Sequence, residues 1–194
     1  MKSDNLNILI VGVGGQGTLL ASKFLGATAK LAGRDVKVSE VHGMSQRGGS
    51  VITCVKIGKK VFSPVIDLGE ADIMLSFEQL EAARWIGYLK KGGKVITSTQ
   101  KIEPMSVVLG QAKYPENVIE GLEKSDADIT AFDAFSVAEE CGSGKAVNIV
   151  LCGVLSKLID DIPEELWLEA LKNTVPAKLL DINTKAFEAG RSRF

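Results

Sequence analysis

Asn7-Ile8-Leu9-Ile10-Val11-Gly12-Val13-Gly14-Gly15-Gln16-Gly17 reads as a buried strand that turns through glycines straight into a helix. The spacing of Gly12, Gly14 and Gly17 fits the G-x-G-x-x-G fingerprint of nucleotide-binding α/β folds. In that fingerprint the first glycine permits the tight turn. The second lets an anionic group approach the backbone, and the third lets helix and strand pack closely. The helix that follows points its free N–H groups and positive dipole end into the crevice. Gly12, Gly14, Gly15, Gln16 and Gly17 are therefore the first candidate ligand-binding residues.

Two details separate this turn from a plain dinucleotide site. Gly14-Gly15-Gln16-Gly17 carries more glycine and amide than such a turn requires. Glu40 falls near the place, about 20 residues on, where an acid on the second strand would hold a ribose. It is followed, however, by Val41-His42-Gly43-Met44-Ser45-Gln46-Arg47-Gly48-Gly49-Ser50, a second glycine-rich loop containing an arginine. Gly48-Gly49 alone would serve as a turn before the next strand. Arg47 on a glycine loop can also offer paired hydrogen bonds to phosphate or carboxylate. The alternative for Arg47 is a salt bridge to a surface carboxylate. Gln46 and Ser50 can supply neutral hydrogen bonds to the same ligand.

The 194 residues suit one domain spanning 1–194, with 45% hydrophobic residues for a core and 24% charged residues for its surface. A net charge of −1 gives no footprint for nucleic acid. No apolar run reaches the roughly 18 residues of a membrane helix. The first residues, Met1 to Asn5, lack the apolar region of a signal peptide. These readings point to a cytoplasmic chain. Cys54, Cys141 and Cys152 lie far apart and read as buried free thiols, and the single histidine, His42, cannot build a multi-histidine metal site. No metal is expected on this chain.

Strand and helix signals alternate in the manner of an α/β sheet. Strands are expected at Leu6 to Gly12, Val36 to Glu40, Val51 to Ile57, Ala71 to Phe77, Val95 to Ser98 and Asp128 to Phe132. Gly58-Lys59-Lys60 looks like a hairpin turn into Val61-Phe62-Ser63, which implies antiparallel pairing on a mostly parallel sheet. Helices are expected at Gln16 to Ala32, Glu78 to Leu89 (closed by Lys90 to Gly93), Pro115 to Lys124 and Phe135 to Glu140. Three more, Ala146 to Ile159, Pro163 to Asn173 and Ala177 to Ala189, form a helical C-terminal layer. Gln100 to Gln111 reads as loop. The fold class is thus a Rossmann-like open α/β sheet, mostly parallel, with an antiparallel hairpin.

In such a sheet the ligand crevice lies beyond the carboxyl ends of the strands. The loops expected to converge there are Gly12 to Gly17, His42 to Ser50, Ser76 to Gln79 and Ser98 to Lys101. No catalytic set emerges. Ser45 and Glu40 lie near His42 in sequence, yet nothing marks Ser45 as an activated nucleophile. His42 fits a loop-orienting role, and Glu78 at the start of a helix is explained by the dipole. A binding site without reaction machinery suggests an accessory subunit. The remaining readings are a stand-alone NAD(P)-dependent oxidoreductase using Glu40, and a nucleotide-binding regulatory domain.

The paired loops, Gly12-Val13-Gly14-Gly15-Gln16-Gly17 and Val41 to Gly49, followed by Ser63-Pro64, resemble the gamma subunits and domains of the 2-oxoacid:ferredoxin oxidoreductases. The resemblance spans nearly the whole chain, through Asn148 to Gly153 and the C-terminal helices. Met44-Ser45-Gln46 is closest to the indolepyruvate (aryl-pyruvate) branch of that family. The resemblance implies oxidative decarboxylation of a 2-oxoacid to an acyl-CoA with ferredoxin as electron acceptor. It implies thiamine diphosphate and [4Fe-4S] clusters on a larger alpha subunit, and coenzyme A as cosubstrate near the present chain. By position, it carries the binding role onto Gly14, Gly15, Gln16 and Gly17 and onto Arg47, Gly48 and Gly49.

Overall fold

Ile8, Leu9, Ile10 and Val11 are all fully buried, so β1 (Leu6–Val13) has both faces covered, as an unbroken apolar run requires. The structure, a computed structural model, describes residues 5–42 and 49–193. Around β1 the chain builds β2 (Asp35–His42), β3 (Ser50–Gly58), β4 (Ala71–Ser76), β5 (Leu89–Ser98) and β6 (Asp128–Phe132). They form one sheet of order β2-β3-β1-β4-β5-β6. β3 is antiparallel to both β1 and β2, whereas β1, β4, β5 and β6 pair in parallel succession. β2 therefore runs in the direction of β1, and β3 alone is reversed. The open, mostly parallel α/β architecture agrees with the sequence reading.

The antiparallel element is not where the sequence placed it. Val61-Phe62-Ser63 forms no strand, and Gly58-Lys59-Lys60 is no hairpin turn. Both edges of β3 are already taken, by β1 and β2, so a strand after Gly58 cannot fold back onto β3 as a hairpin. Instead the Val61 N–H donates to the Asp35 carboxylate at 2.8 Å, and Val61 and Ile66 alone turn inward while Phe62 stays 85% exposed. The true hairpin is β2–β3, whose connection is the second glycine loop.

Helices α1 (Thr18–Leu31), α6 (Val147–Leu158), α7 (Glu164–Thr174) and α8 (Leu180–Arg191) pack on one sheet face. The opposite face, through Leu9, Val11, Met74 and Val95, is covered by α2 (Gln79–Trp85), α4 (Val118–Glu123) and Ile66. Short helices α3 (Met105–Val108) and α5 (Ala134–Glu140) complete the set. α2 is shorter than expected because Leu89 already begins β5. Lys90 to Gly93 bulge within that strand rather than closing a helix, with the pairing skipping from Ala71↔Leu89 to Ile73↔Lys94. Of the thiols, Cys152 is buried, whereas Cys54 and Cys141 are only partly so. Among the described residues no helix is long and apolar enough to cross a membrane.

The helical layer is set by aromatic edges and by two glycines. Phe24 of α1 meets Trp167 of α7 edge-on at 5.7 Å and Phe187 of α8 at 5.8 Å. Where α6 crosses α8 the backbones touch: a Cβ on Gly190 would sit 1.9 Å from the Val150 carbonyl oxygen, and one on Gly153 2.2 Å from that of Phe187. Gly26, inside α1, has open space instead. Gly190→Ala is expected to destabilise the fold by about 3 kcal/mol, because only backbone could yield. Gly26→Ala should stabilise it by about 0.5–1 kcal/mol through helix propensity. Urea unfolding of the two variants checks the contrast.

Candidate functional site

The carboxyl ends of β1 and β2 and the start of β3 are aligned by register, since Val13 pairs with Ser50 and His42 with Val51. That alignment brings Gly49, at the end of the second glycine-rich segment, beside the first loop, and the Gly14 N–H donates to the Gly49 carbonyl at 2.8 Å. Gln46, Arg47 and Gly48, with the His42 side chain, lie outside the described residues. Of the second-loop candidates, Gly49 and Ser50 can be located.

Gln16 is the hub of the first loop. Its Oε1 accepts from the Val13 N–H at 2.7 Å. Its Nε2 donates to the Phe77 carbonyl at 2.9 Å and to Gln100 Oε1 at 3.1 Å. One amide thus ties the ends of β1, β4 and β5, filling the gap between β1 and β4 where α1 and α2 depart to opposite faces. The glycines act differently from the fingerprint. A Cβ on Gly12 would lie 3.0 Å from Gln16 Oε1 and 3.3 Å from the Phe77 Cβ, so Gly12 makes room for Gln16 rather than for a turn. Positive φ falls at Gly15 (102°) and Gly17 (86°). Gly17 is pressed against Asn148 of α6, whose Nδ2 donates to the Gly17 carbonyl at 3.1 Å. Its closeness serves helix–helix packing, not the helix–strand packing expected.

Ser50 faces away from the crevice. Its hydroxyl donates to the Glu81 carboxylate and accepts from Trp85 Nε1 at 3.1 Å, while Arg84 Nε binds the other Glu81 oxygen at 3.0 Å. Glu78, 1% exposed, caps α2 by accepting from the Glu81 N–H at 2.9 Å. It also accepts from the Ile102 N–H at 3.3 Å and from the Tyr114 hydroxyl. Burial pushes the Glu78 carboxyl above its ordinary value, outweighing these donors, and pushes the Tyr114 phenol up as well. Two buried carboxylates on α2 thereby anchor the base of the second loop and the segment after β5.

A cavity of about 450 Å³ opens on the other side of the first loop. Gly15, Gly17 and Leu20 form one wall, Gln100 and Phe135 a second, and Lys145 with Asn148 a third. α1 begins at this cavity with no side-chain cap, so its first N–H groups are left for solvent or ligand, whereas the turn Gly144–Ala146 leading into α6 is capped by the Ser143 hydroxyl and the Ile149 N–H donates to Asn148 Oδ1 at 2.9 Å. Among the described residues lining it, Lys145 is the only charged one. The nearby Glu139 carboxylate is held by the Gly144 N–H at 2.5 Å. Gln100, Lys145 and Asn148 were absent from the sequence-derived site. Ser143-Gly144-Lys145 directly before a helix was the signal that could have exposed Lys145.

Glu40 does not reach the first loop. β3 lies between β1 and β2, placing Glu40 two strand spacings away, roughly 10 Å, with its carboxylate accepting from the Thr53 hydroxyl at 3.2 Å. A ribose on the first loop would find no acid there, which removes the structural basis of the NAD(P) reading. Among the described residues no three His, Cys, Asp or Glu side chains gather as metal ligands.

Gln16→Leu is expected to cost about 2–4 kcal/mol in urea unfolding, because it orphans the Val13 N–H and the Phe77 carbonyl. Glu78 has a second signature. Its folded carboxyl holds its proton to higher pH than the unfolded one does, so its contribution to stability is full at low pH and lost as pH rises past the ordinary carboxylate range. Relative to Glu78→Gln, the native protein should lose stability as pH rises above the ordinary carboxylate range, read from urea midpoints over a pH series.

A family model described as pyruvate ferredoxin/flavodoxin oxidoreductase matches residues 7–193. Indolepyruvate oxidoreductase subunit IorB of Thermococcus kodakarensis is 45% identical over 190 residues, spanning 95% of this chain and 93% of that one. The keto/oxoacid ferredoxin oxidoreductase gamma subunit of Geobacter sulfurreducens superposes with a TM-score of 0.73 at 25% identity, covering 96% of each chain. A 2-oxoglutarate:ferredoxin oxidoreductase of Magnetococcus marinus, solved with 2-oxoglutarate, coenzyme A and succinyl-CoA bound, shares the fold with a TM-score of 0.74 at 20% identity. This chain covers 31% of that longer one. On sequence and on fold, the chain belongs to the pyruvate ferredoxin/flavodoxin oxidoreductase family.

Proposed function

We propose that this chain, a single domain over residues 1–194, is the small subunit of an indolepyruvate oxidoreductase, working in the cytoplasm beside a larger catalytic alpha subunit. The overall reaction turns an aryl pyruvate and coenzyme A into an acyl-CoA, carbon dioxide and a proton, with two electrons passing to ferredoxin. Thiamine diphosphate and [4Fe-4S] clusters, carried by the partner, supply the decarboxylation and the electron path. The observation that carries this reading is the Gly14–Gly49 backbone bond at the carboxyl end of β1, beside a cavity lined, among the described residues, by a lysine and by no acid.

In this reading the chain binds and orients coenzyme A. The α1 N-terminus and Lys145 offer N–H groups and positive charge to its phosphates. Arg47, on the loop tied to Gly14 through Gly49, supplies a further cation. Gly15 and Gly17 let a phosphate approach the backbone, and Asn148 keeps α1 and α6 in step by holding the Gly17 carbonyl. Gln16 keeps the strand ends together.

Anaerobic purification through an affinity tag on this chain tests the assignment. A larger brown partner and ferredoxin reduction driven by indolepyruvate in preference to pyruvate are expected. A colourless chain recovered alone, with no 2-oxoacid activity, would overturn it. In the assembled enzyme Arg47→Ala should raise the KM for coenzyme A about tenfold, the loss of one charge-assisted contact. An unchanged KM would make Arg47 a surface ion-pair residue.

A further inference from the structure

We infer that Gln100 is a ligand-facing donor that selects for the anionic part of the thiol cosubstrate, with Gln16 as the residue that positions it. This rests on the coenzyme A reading above. The argument follows the direction of the amides. The Val13 N–H is a donor and faces Gln16 at 2.7 Å, so the Gln16 atom there must be the oxygen. Its NH₂ group is thereby aimed at the Phe77 carbonyl, 2.9 Å away, and at Gln100, 3.1 Å away. The atom of Gln100 that meets this NH₂ must in turn be its oxygen. The backbone of β1 thus sets the orientation of two successive amides.

The Gln100 nitrogen is left as the free end of this chain. Among the described residues it donates to no acceptor, while Gln100 itself lines the 450 Å³ cavity. The backbone of residue 100 is fixed as well, because its N–H donates to the Ser98 hydroxyl at 3.2 Å and its carbonyl accepts from the Gln79 N–H at 3.3 Å. Across the cavity stands the Lys145 ammonium, which forms no ion pair among the described residues. An NH₂ group of fixed orientation, a lysine and the uncapped α1 N-terminus, with no carboxylate among the described lining residues, make a donor set for phosphate oxygens.

An isosteric change isolates the claim. In Gln100→Glu one oxygen still accepts from Gln16, so the tie between strands is kept, while the other oxygen replaces the donor facing the cavity. Assembled enzyme carrying Gln100→Glu is compared with the native enzyme for KM with coenzyme A, dephospho-coenzyme A and pantetheine, and for coenzyme A binding by calorimetry. Selectivity for coenzyme A over pantetheine is expected to fall at least about tenfold, with calorimetric affinity falling in parallel. If dephospho-coenzyme A loses as much as coenzyme A, the pyrophosphate is the anion contacted. If it is spared, the 3′-phosphate is. Lys145→Gln, on an exposed side chain, should lower the same selectivity and keeps the test open if Gln100→Glu fails to assemble. Unchanged selectivity and affinity in a folded variant would overturn the inference. A native complex showing no coenzyme A dependence at all would instead overturn the function on which it rests.

Discussion

A reversed strand between β1 and β2 is the constraint on which the rest of the architecture turns. Pairing antiparallel on both edges, β3 leaves no free edge for a hairpin strand after Gly58 and sends residues 59–70 over the sheet as irregular chain. It moves β2, and Glu40 with it, out of reach of the first glycine loop. It also places the β2–β3 connection at the carboxyl end of β1, so that Gly49 and Gly14 meet. In a dinucleotide fold of all-parallel strands, β2 would stand next to β1 and its terminal acid would face the same crevice. Here the neighbouring edge offers a second glycine loop instead.

The other half of the crevice is organised by an amide rather than by a ligand. Gln16 fills the gap where helices leave the sheet on opposite sides, satisfying a backbone donor and a backbone acceptor that would otherwise be exposed in a partly buried place. Gly12 exists in the fingerprint position because a side chain there would strike that amide. The same glycine spacing can therefore encode a plugged crevice as well as an open one. What distinguishes them is a single glutamine three residues beyond Val13, which binds back to it.

Much of this was legible in the sequence because it follows from local patterning. The apolar run of β1, the helix start after Gly17 and Pro163 preceding α7 each signal an element by composition alone. Of the loops expected at the carboxyl edge, Gly12 to Gly17, Ser76 to Gln79 and Ser98 to Lys101 do converge there, linked through Gln16, Phe77 and Gln100, and Gly49 of the fourth joins them at Gly14. What escaped was non-local. Nothing in Val51 to Ile57 says that both its edges are occupied, so the hairpin was sought after it instead of before it. Lys145 and Asn148 lie some 130 positions from the loop they face, and only the packing of α6 on α1 brings them to it. Ser50 looked like a ligand contact because its partner, Glu81, lies on a different element.

The tie between the two glycine-rich loops runs from one peptide group to another. Such a bond does not read side chains, so an exchange of side chains removes neither its donor nor its acceptor. The geometry at this meeting point and the side chains around it are thereby decoupled. A lineage can rewrite those side chains without first rebuilding the frame, and divergence within the family need cost little in folding.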